Sequence, residues 1–391
     1  AAGLAGGAVN RPAVRTRAAL ISLALAACQK PIKPGDPVRD LTRAERESFD
    51  SGKVTFNAVF TPETGLGPLF NSASCGECHE DPAAGGIGDE VELHASAFRA
   101  PVCDPLVGEG GIVIQLHVTP ALKASLGIDS EPFPPSATGR AHRTTPVLFG
   151  RGLLDLVPDA AILSYADPDD HDGDGISGRP NHFVDGRLGR FGRKGVVPTL
   201  DEFNDGAFSA EMGITSPAVP TEETVGGQPI PAGVDPVPEP EVPQTALDRA
   251  NAFVRLLAPP TPLKASNAAR RGRQLFQDVG CASCHVPTLT TGVSPIAALS
   301  RQSFAAYTDL LLHDMGPELA DICLGDASPA EFRTEPLIGL RVKHGFMHDG
   351  RDTTLAAAIG SHGGEGVHAR DGFLRLSADE QAALIAFLRT L

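Results

Sequence analysis

The sequence predicts a mainly α-helical chain with long loops, organised as two domains of the same design. Three observations carry that expectation. A five-residue motif occurs twice, as Cys75-Gly76-Glu77-Cys78-His79 and as Cys281-Ala282-Ser283-Cys284-His285. Each copy follows a short helical-looking run, residues 69–71 before the first and 271–276 before the second. With 43 Gly and 34 Pro among 391 residues, the chain is long enough for two cores and rich enough in breakers to leave long loops between them.

C-x-x-C-H is the attachment signature of a c-type haem. Two thiols a helical step apart can each form a thioether to a porphyrin vinyl group, and the adjoining imidazole turns onto the iron. A zinc site would need two further ligands beside each copy, typically another C-x-x-C or an H-x-H, and the sequence offers none close by. A redox dithiol has no need of the histidine and usually sits in a β-α-β context. The expected architecture is therefore two cytochrome c-like domains, each with one covalent haem. Cys75, Cys78 and His79 would hold the first, and Cys281, Cys284 and His285 the second.

Taken in order, residues 1–28 read as an export signal. Arg11, Arg15 and Arg17 precede a short apolar run that ends Leu25-Ala26-Ala27-Cys28, a lipoprotein-type cleavage pattern with Cys28 as the lipidated residue. The apolar run is too short to span a bilayer, so acyl chains on Cys28 would anchor the protein without spanning. A plain export signal with a chance cysteine is the alternative. Either way the expected address is the periplasm or cell envelope, where covalent haem attachment also takes place. Residues 29–40, with three prolines, form a tether. Residues 41–60 are helical in pattern, with Thr42 and Glu45 set as a capping box.

The first haem domain would occupy residues 41–260. It includes strand-like residues 111–118 and a loop feeding a short helix at 139–154. Residues 217–243, dense in Pro, Glu, Gly and Val, read as a loop or linker. An amphipathic helix over 246–257 ends at Ala258-Pro259-Pro260. Residues 261–391 would form the second domain, closing on a helix over 377–391. Of seven cysteines, Cys103 and Cys323 are left over, and in an oxidising compartment two such thiols can pair.

Residues 167–181 read D-P-D-D-H-D-G-D-G-I-S-G-R-P-N. Asp170, Asp172 and Asp174 with Gly175 reproduce the first half of an EF-hand-type loop, so a calcium ion is expected there. The closing glutamate is missing, with Asn181 in its place, so other loops would complete the site. A solvated acidic turn is the plain alternative. A net charge of −15 argues against nucleic-acid or anionic-membrane partners and suits a basic redox partner.

Beyond these motifs, longer stretches carry a resemblance. They include G-L-G-P-L-F-N at 65–71, G-L-L-D-L-V-P-D-A at 152–160, L-G-R-F-G at 188–192 and M-G-I-T-S-P at 212–217. Later come Y-T-D-L-L-L-H-D-M-G-P at 307–317, M-H-D-G-R at 347–351 and H-G-G-E at 362–365. From about Leu41 onward the chain resembles the bacterial di-haem oxidoreductases of the peroxidase type, also called thiol oxidoreductase-like. These are distant relatives of the di-haem cytochrome c peroxidases and of the methylamine-utilisation di-haem enzyme. The resemblance implies one closed haem that relays electrons and one open haem that meets hydrogen peroxide. It places the closed haem's second ligand a short helix beyond an H-D-G motif. Here H-D-G is His348-Asp349-Gly350, and the ligand position falls on His362, with Met315 and Met347 as fallbacks. A histidine there would lower the potential relative to methionine.

At the first haem the resemblance implies a distal His or Glu that moves a proton between the peroxide oxygens. His117 and His142 are the candidates, the latter just before Thr145-Pro146. For His117 and His142 the plain reading is an ordinary core or surface histidine, and for His362 a helix-end histidine bonding a carbonyl. The relatives also place a Trp between the haems, and this chain has none; Phe149 or Tyr165 would stand nearby.

The leading expectation is an exported di-haem c-type enzyme, with electrons entering at the C-terminal haem and chemistry at the N-terminal one. Its partners would be a redox protein or small donor, and hydrogen peroxide. The rivals are an electron-transfer cytochrome with both haems six-coordinate, a component of iron uptake, and an oxygenase.

Overall fold

In the computed structural model, residues 30–391 are described. The expected export signal and Cys28 lie outside the described residues. Each helix that leads towards a cysteine motif is started by local signals and then fixed by a second helix far along the chain. α1 (Arg43–Phe56) begins at Thr42, whose hydroxyl accepts the Glu45 N–H while the Glu45 carboxylate accepts the Thr42 N–H, the expected capping box. α2 (Gln244–Leu256) buries Leu247, Phe253 and Val254. Phe49 and Phe56 of α1 both meet Phe253, with ring centroids 5.0 and 4.8 Å apart. The axes close at Gly52, where a Cβ would overlap the carbonyl oxygen of Arg249.

The second half repeats this device. α3 (Asn267–Asp278) is capped by Ser266, and α4 (Ala378–Leu388) by Ser377 in a capping box with Glu380. Gly272 of α3 lies so close to α4 that a Cβ would overlap the Ala383 carbonyl oxygen. Phe276 and Phe387 meet edge to face at 5.5 Å.

Between α1 and α2 the chain holds more strand than expected. β1 (Val91–Arg99) pairs antiparallel with β2 (Val102–Asp104), with β3 (Val113–Ile114) and with β4 (Gly139–Thr144). Residues 139–144, read as loop in the sequence, are therefore a strand, and the short helix follows at Arg151–Asp155. The segment alternates: Ala141 and Arg143 are buried, Arg140 and His142 exposed. An inward arginine hid that pattern. Its partner, Asp321 at 2.6 Å, comes from far along the chain.

The segment read as a tether is bound to the body from Ile32 onward. Ile32 N–H donates to the Thr261 hydroxyl and Val38 N–H to the Leu256 carbonyl. The Pro-rich residues 217–243 also pack inward, burying Val234 and Val242. One hydrophobic cluster crosses the expected boundary at residue 260, joining Phe149, Phe253 and Leu257 to Leu289, Leu311 and Ile338. Residues 32–391 accordingly form one compact unit. Cys103 and Cys323 are disulfide-bonded, tying positions 220 residues apart, with Cα atoms 5.7 Å apart. Among the described residues no helix is long and apolar enough to cross a membrane.

Candidate haem sites

The second motif opens on a cavity of about 580 Å³. Cys281, Cys284 and His285 line it together with His362, which follows the helix Leu355–Gly360. The His285 Nδ1 lies 3.0 Å from the Tyr307 carbonyl oxygen, and the His362 Nδ1 lies 2.8 Å from that of Ala358. A carbonyl accepts only, so each Nδ1 must carry the proton and each Nε2 keeps its lone pair. Burial pushes His285 down to about 4 and pushes His362 down as well, so both rings stay neutral. Met315 and Met347 line the same cavity.

Burial also pushes the Cys281 thiol up to about 12 and raises Cys284. Zinc binding and disulfide exchange both need thiolate, and these thiols hold their protons. Two neutral thiols, two neutral imidazoles with free Nε2 atoms, and a cavity between them fit a c-type haem with two axial histidines. A neighbouring group was not visible in the sequence. The buried His313 bonds Asp309 at 2.8 Å and Glu365 at 2.6 Å, and its Nδ1 lies 3.7 Å from the Cys284 sulfur. Burial opposes its charge, but the bonds to Asp309, Cys284 and Glu365 outweigh that and raise it to about 12. His313, ion-paired with Asp309 and Glu365, therefore supports the neutral Cys284 thiol from behind.

The first motif repeats the proximal half of this arrangement. Ser74 caps the one-turn helix Cys75–Cys78, and His79 Nδ1 lies 3.1 Å from the Gly86 carbonyl oxygen. Phe56 stands 6.1 Å from the His79 ring, as Phe276 stands 6.4 Å from His285. Burial pushes both Cys75 and Cys78 up to about 12, with the charge of Glu211 adding to it, and lowers His79.

What surrounds the first motif is different. Two half-buried carboxyl groups, Glu92 on β1 and Glu211 in the helix Leu200–Met212, act on its cysteines. Glu211 accepts a bond from Asn71 at 2.9 Å, and burial with the charge of Glu92 raises it well above the usual carboxylate range. Glu92 is driven the other way. Burial opposes its charge, but the bond to His94 at 2.9 Å and the charges of His94, His79 and Arg193 hold it low. One carboxyl is shifted up and the other down, a pairing suited to acid–base work.

Of the two histidines expected here, His142 is exposed on β4. His117 is also exposed, on a two-residue strand beside Phe70, and shares a shallow pocket with Glu77. Glu92 and Glu211 escaped the sequence reading because no spacing links them to the motif. Glu-x-His on a half-buried strand was the only local signal.

Phe149 is buried, and a Cβ added at Gly85 or at Gly339 would lie within 4 Å of its ring, whereas Tyr165 is exposed. In the acidic loop, carboxylate oxygens of Asp170, Asp172 and Asp174 lie within 4.8 Å of one another. Asn181 does not close the loop, because its amide donates to the carbonyls of Lys194 and Leu324.

Residues 137–391 match the family model described as "Di-haem oxidoreductase, putative peroxidase". The chain belongs to the di-haem oxidoreductase family. Its fold is di-haem peroxidase-like, and membership implies two haems. Among solved structures, similar chains include hydrazine synthase of Kuenenia stuttgartiensis, 14% identical over 99% of this chain and 100% of that one, with a TM-score of 0.41. The di-haem peroxidase BthA of Burkholderia thailandensis is 18% identical over 93% and 89%, with a TM-score of 0.43. A MauG-like protein associated with microbial copper homeostasis is 15% identical over 93% of each chain, with a TM-score of 0.36. These three likenesses are too distant to bear on the chemistry. No curated protein matches the chain in sequence.

Proposed function

We propose that the protein is an exported di-haem c-type oxidoreductase that reduces peroxide at the first motif, with electrons entering at the second. The carrying observation is the unlike surroundings of two like motifs. His285 shares its cavity with a second histidine whose Nδ1 is held by a carbonyl, whereas His79 shares its surroundings with one carboxyl group shifted up and one shifted down.

A bound c-type haem supplies one-electron chemistry and, where one axial position is open, a place for peroxide. Cys75 and Cys78, and Cys281 and Cys284, would form the thioethers. His79 and His285 would be proximal ligands, and His362 would close the second centre. At the first, Glu92 would accept a proton from the bound peroxide and Glu211 would donate one to the leaving oxygen. Phe149, which is fully buried, would stand between the two centres. The two haem domains would meet near residue 260.

The Cys103–Cys323 disulfide supports an oxidising compartment, in keeping with the proposed export signal and lipid anchor on Cys28. A calcium ion on Asp170, Asp172 and Asp174 would brace the loop whose Asp174 and Ile176 line the second cavity. A chelator should then lower the melting temperature; an unchanged transition and spectrum would remove the ion from the proposal.

The function is tested by absorption spectra of the ferric and reduced holoprotein with and without carbon monoxide. About half of the haem should shift, as expected for one open and one closed centre. A protein with no shift in either redox state would be an electron carrier.

A further inference from the structure

The cavity at the second motif has a wall with too few anions. Arg193, Arg333 and Lys343 all line it. Arg193 and Arg333 converge on Glu335 at 3.3 and 2.7 Å, and Arg151 reaches the same carboxylate at 3.0 Å. Backbone carbonyls fix the guanidinium groups as well. Arg193 donates to Thr144, Arg333 to Gly192 and Thr334, and Arg151 to Val147. These three side chains are only 13%, 3% and 8% exposed.

Glu335 balances one of four positive charges. Buried charge without a counter-charge is costly, so such a group is expected to receive anions from elsewhere. Burial pushes Arg333 down to about 10 and Lys343 down to about 8, the direction of cations short of partners. Two other carboxylates line the cavity, but both are engaged. Glu365 holds His313 and the Ser177 hydroxyl, and Asp174 accepts the Ile176 N–H. Glu365 also belongs to the Cys284 end, through His313.

A haem joined through its vinyl groups carries two propionates on the rings away from the thioether edge. We propose that Arg193, Arg333 and Lys343 form a receptor for a pair of carboxylates, the propionates of the haem attached at Cys281 and Cys284. The inference rests on the second motif carrying haem, as proposed above. The receptor also reaches towards the first motif, because Arg193 is among the charges that hold Glu92 ionised.

The test uses the full-length holoprotein and the variants Lys343→Met and Lys343→Arg, with Arg270→Met on the exposed face of α3 as the control for overall charge. Haem content comes first, from the pyridine haemochrome; fewer than two haems in the wild type overturns the function reading and this inference together. With two haems bound, resonance Raman spectra report the propionate bending bands, and a spectroelectrochemical titration reports both midpoint potentials.

Lys343→Met should shift a propionate band and lower one midpoint potential, because a nearby cation favours the less positive ferrous state. Lys343→Arg should restore both, and Arg270→Met should change neither. A lowered potential with unmoved propionate bands would overturn the assignment. So would a wild-type potential that titrates saturably with added phosphate or acetate, which would make the wall a site for soluble anions. Should Lys343→Met fail to fold, Lys343→Gln takes its place, with the same shifted propionate band and lowered potential expected, and unmoved bands overturning the assignment.

Discussion

The two cysteine motifs share almost nothing in sequence beyond their cysteines and histidine, yet their immediate settings are nearly superimposable in kind. Each is preceded by a helix that crosses a later helix at a glycine, Gly52 in α1 and Gly272 in α3. A phenylalanine from that helix stands about as far from each motif's histidine ring, at 6.1 and 6.4 Å. Both histidines give their Nδ1 proton to a carbonyl. The difference lies in the far groups: His362 at the second motif, and Glu92 with Glu211 at the first. The immediate setting of the two motifs is built alike, and the groups that surround it differ, carboxyl groups at the first and a second histidine at the second.

The largest expected effect separates the motifs outright. Replacing Cys75 and Cys78 by serine, or Cys281 and Cys284, should each reduce the pyridine haemochrome from two haems to one. Only the first pair should also remove the carbon monoxide response. If the second pair removes it, the open and closed assignments are reversed.

Next is Glu211→Gln, which should lower peroxide turnover by about 10²–10⁴-fold with haem content unchanged, since an amide cannot donate the proton. The sign of the pH effect follows from the raised pKa of Glu211. The acid form is the donor, so wild-type turnover should fall as pH rises through that raised value, and the variant should lose this limb. A variant that keeps the limb would assign it to another group.

His362→Ala should make the second centre resemble the first. Carbon monoxide should then bind about all of the haem instead of about half. Should the spectrum stay that of a closed centre, Met315 or Met347 would hold the position.

Smallest is the matched pair Gly52→Ala and Gly272→Ala. Each inserts a methyl group against a carbonyl oxygen in a tight crossing, so each should cost about 1–3 kcal/mol. Thermal unfolding measures both. Equal losses would confirm equivalent crossings, and a loss confined to one half would show that the other can relax.

The helices were legible because their signals are local. The Thr42–Glu45 box, the break at Pro259-Pro260 and the Ser377 start fix α1, α2 and α4 within a few residues. β4 was not legible, because its inward Arg143 is tolerable only beside Asp321. The Pro-rich stretch at 217–243 was read as a linker from composition alone, and burial of Val234 and Val242 depends on what it folds against. His362 was placed by its spacing from His348-Asp349-Gly350, and it lines the cavity shared with His285, with its Nδ1 on the Ala358 carbonyl oxygen. The acid–base candidates His117 and His142 were chosen by residue type, whereas Glu92 and Glu211 are distinguished by burial and mutual charge.

By itself the sequence determined the two C-x-x-C-H motifs, the helices leading towards them, and the family. Those depend on covalent spacing and on hydrogen bonds within a few residues, which a linear string records. Only the tertiary structure decided that Cys103 meets Cys323, that one core runs across residue 260, and that the far sides of the two motifs differ. It also decided that four cations gather round Glu335. Burial and charge pairing depend on distance in space, and residues 178 and 204 positions apart in the chain set them here, as with Arg143 and Asp321 or Thr144 and His348.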